Sequence, residues 1–281
     1  MRNTRIAVKP IAGAIGAEIE GVDITAAPDD ETIAEIRQAL LDHCVIFFRG
    51  QNFDAAQHKA FARRFGDIFI HPNYRGMQAD NEIVMITREP GDQHIVGEDW
   101  HTDTTMVRQP PLGAILFGIE VPPYGGDTCF ANQYLAYETL SPGMRRLVDG
   151  LRAVHSDRMV AGPKAGRNAY RSTKVREDAD WRETVTSHPV VRTHPETGRK
   201  CLFVNAAYTV GFDGMTEEES RPLLDYLLAH GHRPEFTCRF RWENGSVAFW
   251  DNRCVKHLAV HDAGPYRRLM RRVQIAGDAV Y

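Results

Sequence analysis

The feature that most constrains this fold is a succession of short β-forming runs through the C-terminal half. Residues 190–193, 200–205, 235–242, 246–250, 254–260 and 268–275 carry β-branched, aromatic and other apolar side chains and are separated by turn-forming residues. Each run is too short for a helix. One helical stretch, 216–229, interrupts them, opened by Thr216 with Glu219 three residues on, the pattern of a capping box. Many short strands with few helices predict a mainly β protein with flanking helices (α+β), built as a double-sheet barrel or jelly roll.

The N-terminal half supplies the flanking elements. Residues 6–24 read as two short strands about a turn, and 29–43 as a helix with Ile33, Ile36, Leu40 and Leu41 on one face. The apolar run 45–48 reads as a buried strand, and 54–65 as a second helix stopped by Gly66. Further strands are expected near 82–87, 112–121 and 127–131, and a helix over 140–151 with Ser141 and Pro142 at its start. The pair Gly13 and Gly16 lacks the third glycine and the long helix of a dinucleotide-binding fingerprint. Residues 157–183 are polar, basic and weakly patterned, as expected of a functional loop such as a lid. No linker or repeat divides the 281 residues, so one domain over 1–281 is expected.

A net charge of −3 offers no surface for nucleic acid. No apolar run reaches the length of a membrane span, and the N-terminus lacks a signal peptide's apolar stretch. The five cysteines, Cys44, Cys129, Cys201, Cys238 and Cys254, are too dispersed for a disulfide framework or a CxxC pair. They read as buried thiols in a reducing, cytoplasmic setting.

His101 and Asp103, two residues apart, project from the same face of an extended chain. An imidazole and a carboxylate so placed supply two ligands of a facial triad, which leaves positions open for a co-substrate and O₂. The third ligand must be another imidazole from the β-rich half, where His188, His194, His257 and His261 are all available. Spacing does not choose between His257 and His261, which share a strand face.

Four strings bear on that choice: Trp100-His-Thr-Asp103, Gly125-Gly-Asp-Thr128, Trp250-Asp-Asn-Arg253 followed by His257, and Asp262 followed by Arg267-Arg-Leu-Met-Arg-Arg272. Together with the opening Gly16-Ala-Glu-Ile they resemble the taurine dioxygenase (TauD/TfdA) family over nearly the whole chain. The resemblance implies a cupin-like jelly roll, or double-stranded β-helix, binding Fe(II) through His101, Asp103 and His257. It further implies 2-oxoglutarate as co-substrate, held at its distal carboxylate by Arg268 and Thr128, with O₂ as oxidant. Arginine suits that role because its planar fork pairs with a carboxylate and keeps its charge. Positions 268 and 272 share parity and are expected to face the barrel interior, with Arg267 and Arg271 facing out.

The same resemblance assigns Arg272, His71, Tyr74 and Tyr208 to a small anionic substrate. It also implies a homo-oligomer, dimer or tetramer. Gly97 stands where the taurine enzyme has asparagine, and Met106 where it has phenylalanine. These departures predict a differently shaped pocket, open to larger sulfonates, aryloxyalkanoates or other organic acids. Because Asp103 is retained, hydroxylation is expected rather than halogenation. A zinc hydrolase using the same three ligands would leave Arg268 and Thr128 without a purpose, and a non-catalytic binding protein would not need all three ligands together with Arg268.

Overall fold

The computed structural model describes residues 5–74, 80–162, 165–176 and 180–281. Its main sheet runs, in spatial order, through Ala7–Pro10, Ala17–Glu20, Val45–Phe48, Val247–Asp251, Gly113–Glu120, Arg268–Ile275 and Ile68–Phe69, with Val84–Arg88 also pairing on Arg268–Ile275. A second sheet, Thr237–Phe240, Thr128–Asn132 and Val255–Ala259, is antiparallel throughout. The two form the expected jelly roll.

Period-two alternation decides what each strand contributes to the interior. In Val45–Phe48, Val45 and Phe47 join Phe130, Phe240, Trp250 and Met270 between the sheets. Ile46 and Phe48 point the other way, where Asp30–His43 and Ala55–Arg63 add Ile36, Leu40 and Phe61. The centre of the main sheet is thus buried on both faces, which is why its central strands read as continuous apolar runs. Asp29 caps the first helix, and Asp54 with Gln57 forms a capping box on the second. The predicted capping box of Thr216 and Glu219 opens the helix Glu217–His230.

Several expectations needed correction. The helix expected over 140–151 spans only Pro142–Val148, while Gln133–Glu138 is a helix the pattern did not reveal. Strands Arg152–Ser156, Val185–Pro189 and Thr209–Phe212 form an additional small sheet that the sequence concealed behind polar residues. Arg271 does point away from the barrel, but the helix Ala55–Arg63 covers that face. Its guanidinium donates to the backbone carbonyls of Phe53 and Asp54 at 2.6 and 2.9 Å, and to Nδ1 of His58 at 3.2 Å. Cys44, Cys201, Cys238 and Cys254 are buried free thiols, whereas Cys129 is half-buried. Among the described residues no helix is long and apolar enough to cross a membrane.

Two buried histidines make the fold acid-sensitive. Burial, then the neighbouring Arg271, pushes His58 down to about 3; burial, then His188, does the same to His155. Both stay neutral in the fold but gain a proton near pH 6.5 once unfolded, so stability is lost as pH falls from about 6.5 toward 3. Each should cost about 2 kcal/mol of stability at pH 5 relative to pH 7. Denaturant unfolding at the two pH values checks this, and His58→Gln, which keeps an acceptor for Arg271, should make the pH dependence shallower.

Candidate active site

Backbone pairing brings the two distant histidines together. The His101 N–H donates to the His257 carbonyl at 3.0 Å, and the His257 N–H donates back to the His101 carbonyl at 2.8 Å. Residues opposed across such an antiparallel pair project from the same side, and the imidazole centroids lie 4.0 Å apart. Asp103 follows on a turn whose next residue, Thr104, has a left-handed φ of 54°. Asn252 clamps that turn: its side-chain oxygen accepts the Asp103 N–H at 2.8 Å, and its amide donates to the carbonyls of Asp103 and Pro111, each at 3.0 Å.

Nε2 of His101 lies 3.5 Å, and Nε2 of His257 3.8 Å, from Oδ1 of Asp103. Nδ1 of His101 is 2.8 Å from the Asp99 carbonyl, which only accepts, so Nδ1 carries the proton and Nε2 presents its lone pair. Burial opposes a charge on Asp103, yet Arg272, 3.3 Å away, and both histidines outweigh it and hold the carboxyl well below the usual range. Burial, reinforced by His101, keeps His257 neutral by pushing its imidazole well below its ordinary value. Oδ2 of Asp103, though buried, has no hydrogen-bond partner among the described residues. Two imidazoles and an incompletely satisfied carboxylate converging on one point fit a divalent iron with a free face.

Two cavities meet at this point. One is lined by His101, His257, Thr128, Trp250 and Arg268. There the buried Arg268 has no partner for Nε or Nη2 among the described residues, and burial lowers it to about 10 against the weaker influence of Asp127. The other cavity is lined by His101, Asp103, His71, Tyr74, Tyr208 and Arg272. The Arg272 guanidinium lies 5.4 Å from the Tyr74 ring centroid, and its Nε and Nη2 are likewise unpartnered among the described residues. Nδ1 of His71 accepts the Asn73 N–H at 3.1 Å. Burial, then Arg272, lowers His71 to about 3, so the neutral ring offers an Nε2–H donor.

The structure thus assembles every expected site residue except Met106. That side chain is fully buried with Ala207 and Tyr208 and lines neither cavity; the pocket wall is Tyr208 itself. Gly97 comes so close to His101 that an added Cβ would lie 3.0 Å from its Cε1. The rival histidines are otherwise engaged: His188 contacts the carbonyls of Thr105 and Val107, His194 pairs with Asp251, and His261 is exposed. Arg167 and Arg171 also line the second cavity, which sequence reading missed because they sit in the weakly patterned stretch. Arg167 reaches Asp99 at 2.6 Å and Glu98 at 3.1 Å. Within the lid expected at 157–183, residues 163, 164 and 177–179 lie outside those described.

Comparison with known proteins agrees with this geometry. Residues 7–274 match the family described as "Taurine catabolism dioxygenase TauD, TfdA family". The chain belongs to the TauD/TfdA family. It is 36% identical to an alkylsulfatase of Acinetobacter baylyi, covering 98% of this chain and 86% of that one. It is 37% identical to an alpha-ketoglutarate-dependent sulfate ester dioxygenase of Pseudomonas putida, covering 96% and 89%. The crystal structure of a taurine dioxygenase from Burkholderia xenovorans superposes with a TM-score of 0.82 at 41% identity, covering 98% of this TauD/TfdA chain and 91% of the other.

Because Asn252 holds both the N–H and the carbonyl of Asp103, Asn252→Ala should strand buried polar groups and cost about 2–4 kcal/mol of stability. Mn(II) titration of the folded variant should show weakened metal binding, while His261→Ala should change neither quantity.

Proposed function

We propose that this TauD/TfdA dioxygenase oxidises an alkyl sulfate ester at the carbon bearing the sulfate. As a member of its family the chain is an oxidoreductase using Fe(II), 2-oxoglutarate and O₂ on a small anionic molecule. The observation that carries the finer reading is a pair of buried arginines, Arg268 and Arg272, each with unpartnered nitrogens among the described residues, in two cavities that share the His101 corner.

In this reading His101, Asp103 and His257 hold the iron. Arg268 and Thr128 take the distal carboxylate of 2-oxoglutarate. Bound iron, with 2-oxoglutarate and O₂, supplies the oxidising chemistry, in which the co-substrate becomes succinate and CO₂ and one oxygen enters a substrate C–H bond. The protein's residues bind, orient and exclude water. Arg272 and the neutral His71 Nε2–H hold the substrate's anionic head, with Tyr74 beside them. Val160, Ala207 and Tyr208 line the same cavity and form an apolar wall for an alkyl body.

A hydroxyl placed on the sulfate-bearing carbon makes a hemiacetal-like product, which collapses to an aldehyde and inorganic sulfate. Support for a sulfate ester over a carboxylate comes from the two relatives named above. Arg167 and Arg171, which line this cavity, help to enclose the substrate in the same reading. The whole chain acts as one catalytic domain.

The test is succinate and sulfate release across alkyl sulfates, alkylsulfonates and aryloxyalkanoates, with His101→Ala beside the wild type. Alkyl sulfates should stimulate both products, and the variant should make neither. Arg272→Gln should raise KM for the sulfate by roughly 30-fold or more, as expected for losing a buried charged contact. Stimulation by aryloxyalkanoates alone would replace the substrate class, and failure to bind both metal and 2-oxoglutarate would overturn the assignment of the site.

A further inference from the structure

Trp242 has no part in the assignments above, yet it touches both groups of the proposed carboxylate clamp. Its indole N–H donates to the Thr128 hydroxyl oxygen at 2.9 Å, in a buried contact. Its ring lies under Arg268, whose guanidinium carbon is 5.6 Å from the ring centroid. Phe240 meets it edge-on at 5.0 Å and 84°, which fixes the plane of the indole. The strand pairing of Thr128 with Phe240 and with Ala259 fixes the threonine backbone as well.

We propose that Trp242 is a positioning residue that sets the polarity of the Thr128 hydroxyl, so that the site selects 2-oxo acids carrying a second, distal carboxylate. An indole N–H can only donate, so the Thr128 oxygen must accept from it. The single hydroxyl hydrogen is then free to turn toward the cavity beside Arg268, and no acceptor among the described residues claims it. A carboxylate there meets a donor from Thr128 and two from Arg268. Without the indole N–H the hydroxyl is free to turn around and present a lone pair, which repels the same carboxylate. The ring also supports the guanidinium by a cation–π contact.

This inference rests on the reading of Arg268 and Thr128 as the 2-oxoglutarate site. The test is calorimetric binding to the Mn(II)-loaded protein of two probes, 2-oxoglutarate and 2-oxobutyrate, which shares the chelating end but lacks the distal carboxylate. Trp242→Phe keeps an aromatic ring but removes the pyrrole half of the indole with its N–H. It should weaken 2-oxoglutarate about fivefold, the scale of one hydrogen bond, and leave 2-oxobutyrate within twofold. Thr128→Val should reproduce that selectivity loss, Thr128→Ser should not, and the Trp242→Phe, Thr128→Val double variant should be no worse than Thr128→Val alone. Unchanged 2-oxoglutarate affinity in Trp242→Phe, or equal weakening of both probes, overturns the proposal. If Trp242→Phe does not fold, the valine and serine variants still decide it: equal affinities for 2-oxoglutarate overturn it. Arg268→Met with undiminished 2-oxoglutarate binding would overturn instead the underlying assignment of the pocket.

Discussion

Two backbone hydrogen bonds between His101 and His257 are the joint on which the site depends. They fasten the loop carrying His101 and Asp103 to the strand Val255–Ala259 without making it part of a sheet. Side-chain direction reverses with every residue along an extended chain, so a slip by one position would turn an imidazole out of the site. The pairing therefore selects which histidine of the C-terminal half meets His101. Asn252 then fixes the bend that returns Asp103 to the same point, holding the left-handed backbone at Thr104 beside it. The metal-binding geometry is set by main-chain contacts, and the three side chains inherit it.

Around this joint the protein keeps charge out of water in an unusual way. Arg268 and Arg272 are buried with unpartnered nitrogens, and the second oxygen of Asp103 is unpartnered too, among the described residues. Such groups cost free energy in a finished core, where nearly all buried polar atoms are paired. Here they face cavities, so ligands complete them. Counting the groups that face the donor point, one carboxylate and two guanidiniums meet a divalent metal and a doubly charged co-substrate. A monoanionic substrate, whether sulfate monoester, sulfonate or carboxylate, then brings the assembly to neutrality. Ligands that bind the fold but not the unfolded chain also stabilise it, so the loaded protein is the more stable one.

Much of this was legible in the sequence because it depends on local periodicity. The His101 and Asp103 spacing, the shared parity of Arg268 and Arg272, the run Val45–Phe48 and the capping box at Thr216 all follow from rules that act over a few residues. What was not legible depends on contacts between distant segments. The burial of Arg271 requires knowing that Ala55–Arg63 crosses the outer face of the closing strand. The displacement of Met106 behind Tyr208 depends on how the segments around residues 106 and 207 pack. The choice of His257 came from the family resemblance, and the structure supplies its physical reason: the rival histidines are spent on hydrogen bonds or left in solvent.

The closing strand Arg268–Ile275 shows how one residue type acquires different work from position alone. Arg267, just before the strand, is half-buried beside Glu89 and Glu120. Arg271, on the outer face, is consumed by backbone carbonyls and serves the fold. Arg268 and Arg272, four residues apart on the inner face, both line the cavity beside His257, and Arg272 alone also lines the cavity beside Asp103 and Tyr74. Of the two, only Arg272 comes within 3.3 Å of Asp103, whereas Arg268 leans on Trp242. Replacing either by lysine would keep the charge but lose the planar fork. Parity and distance along one strand thus decide which arginine serves the fold and which two line the cavities.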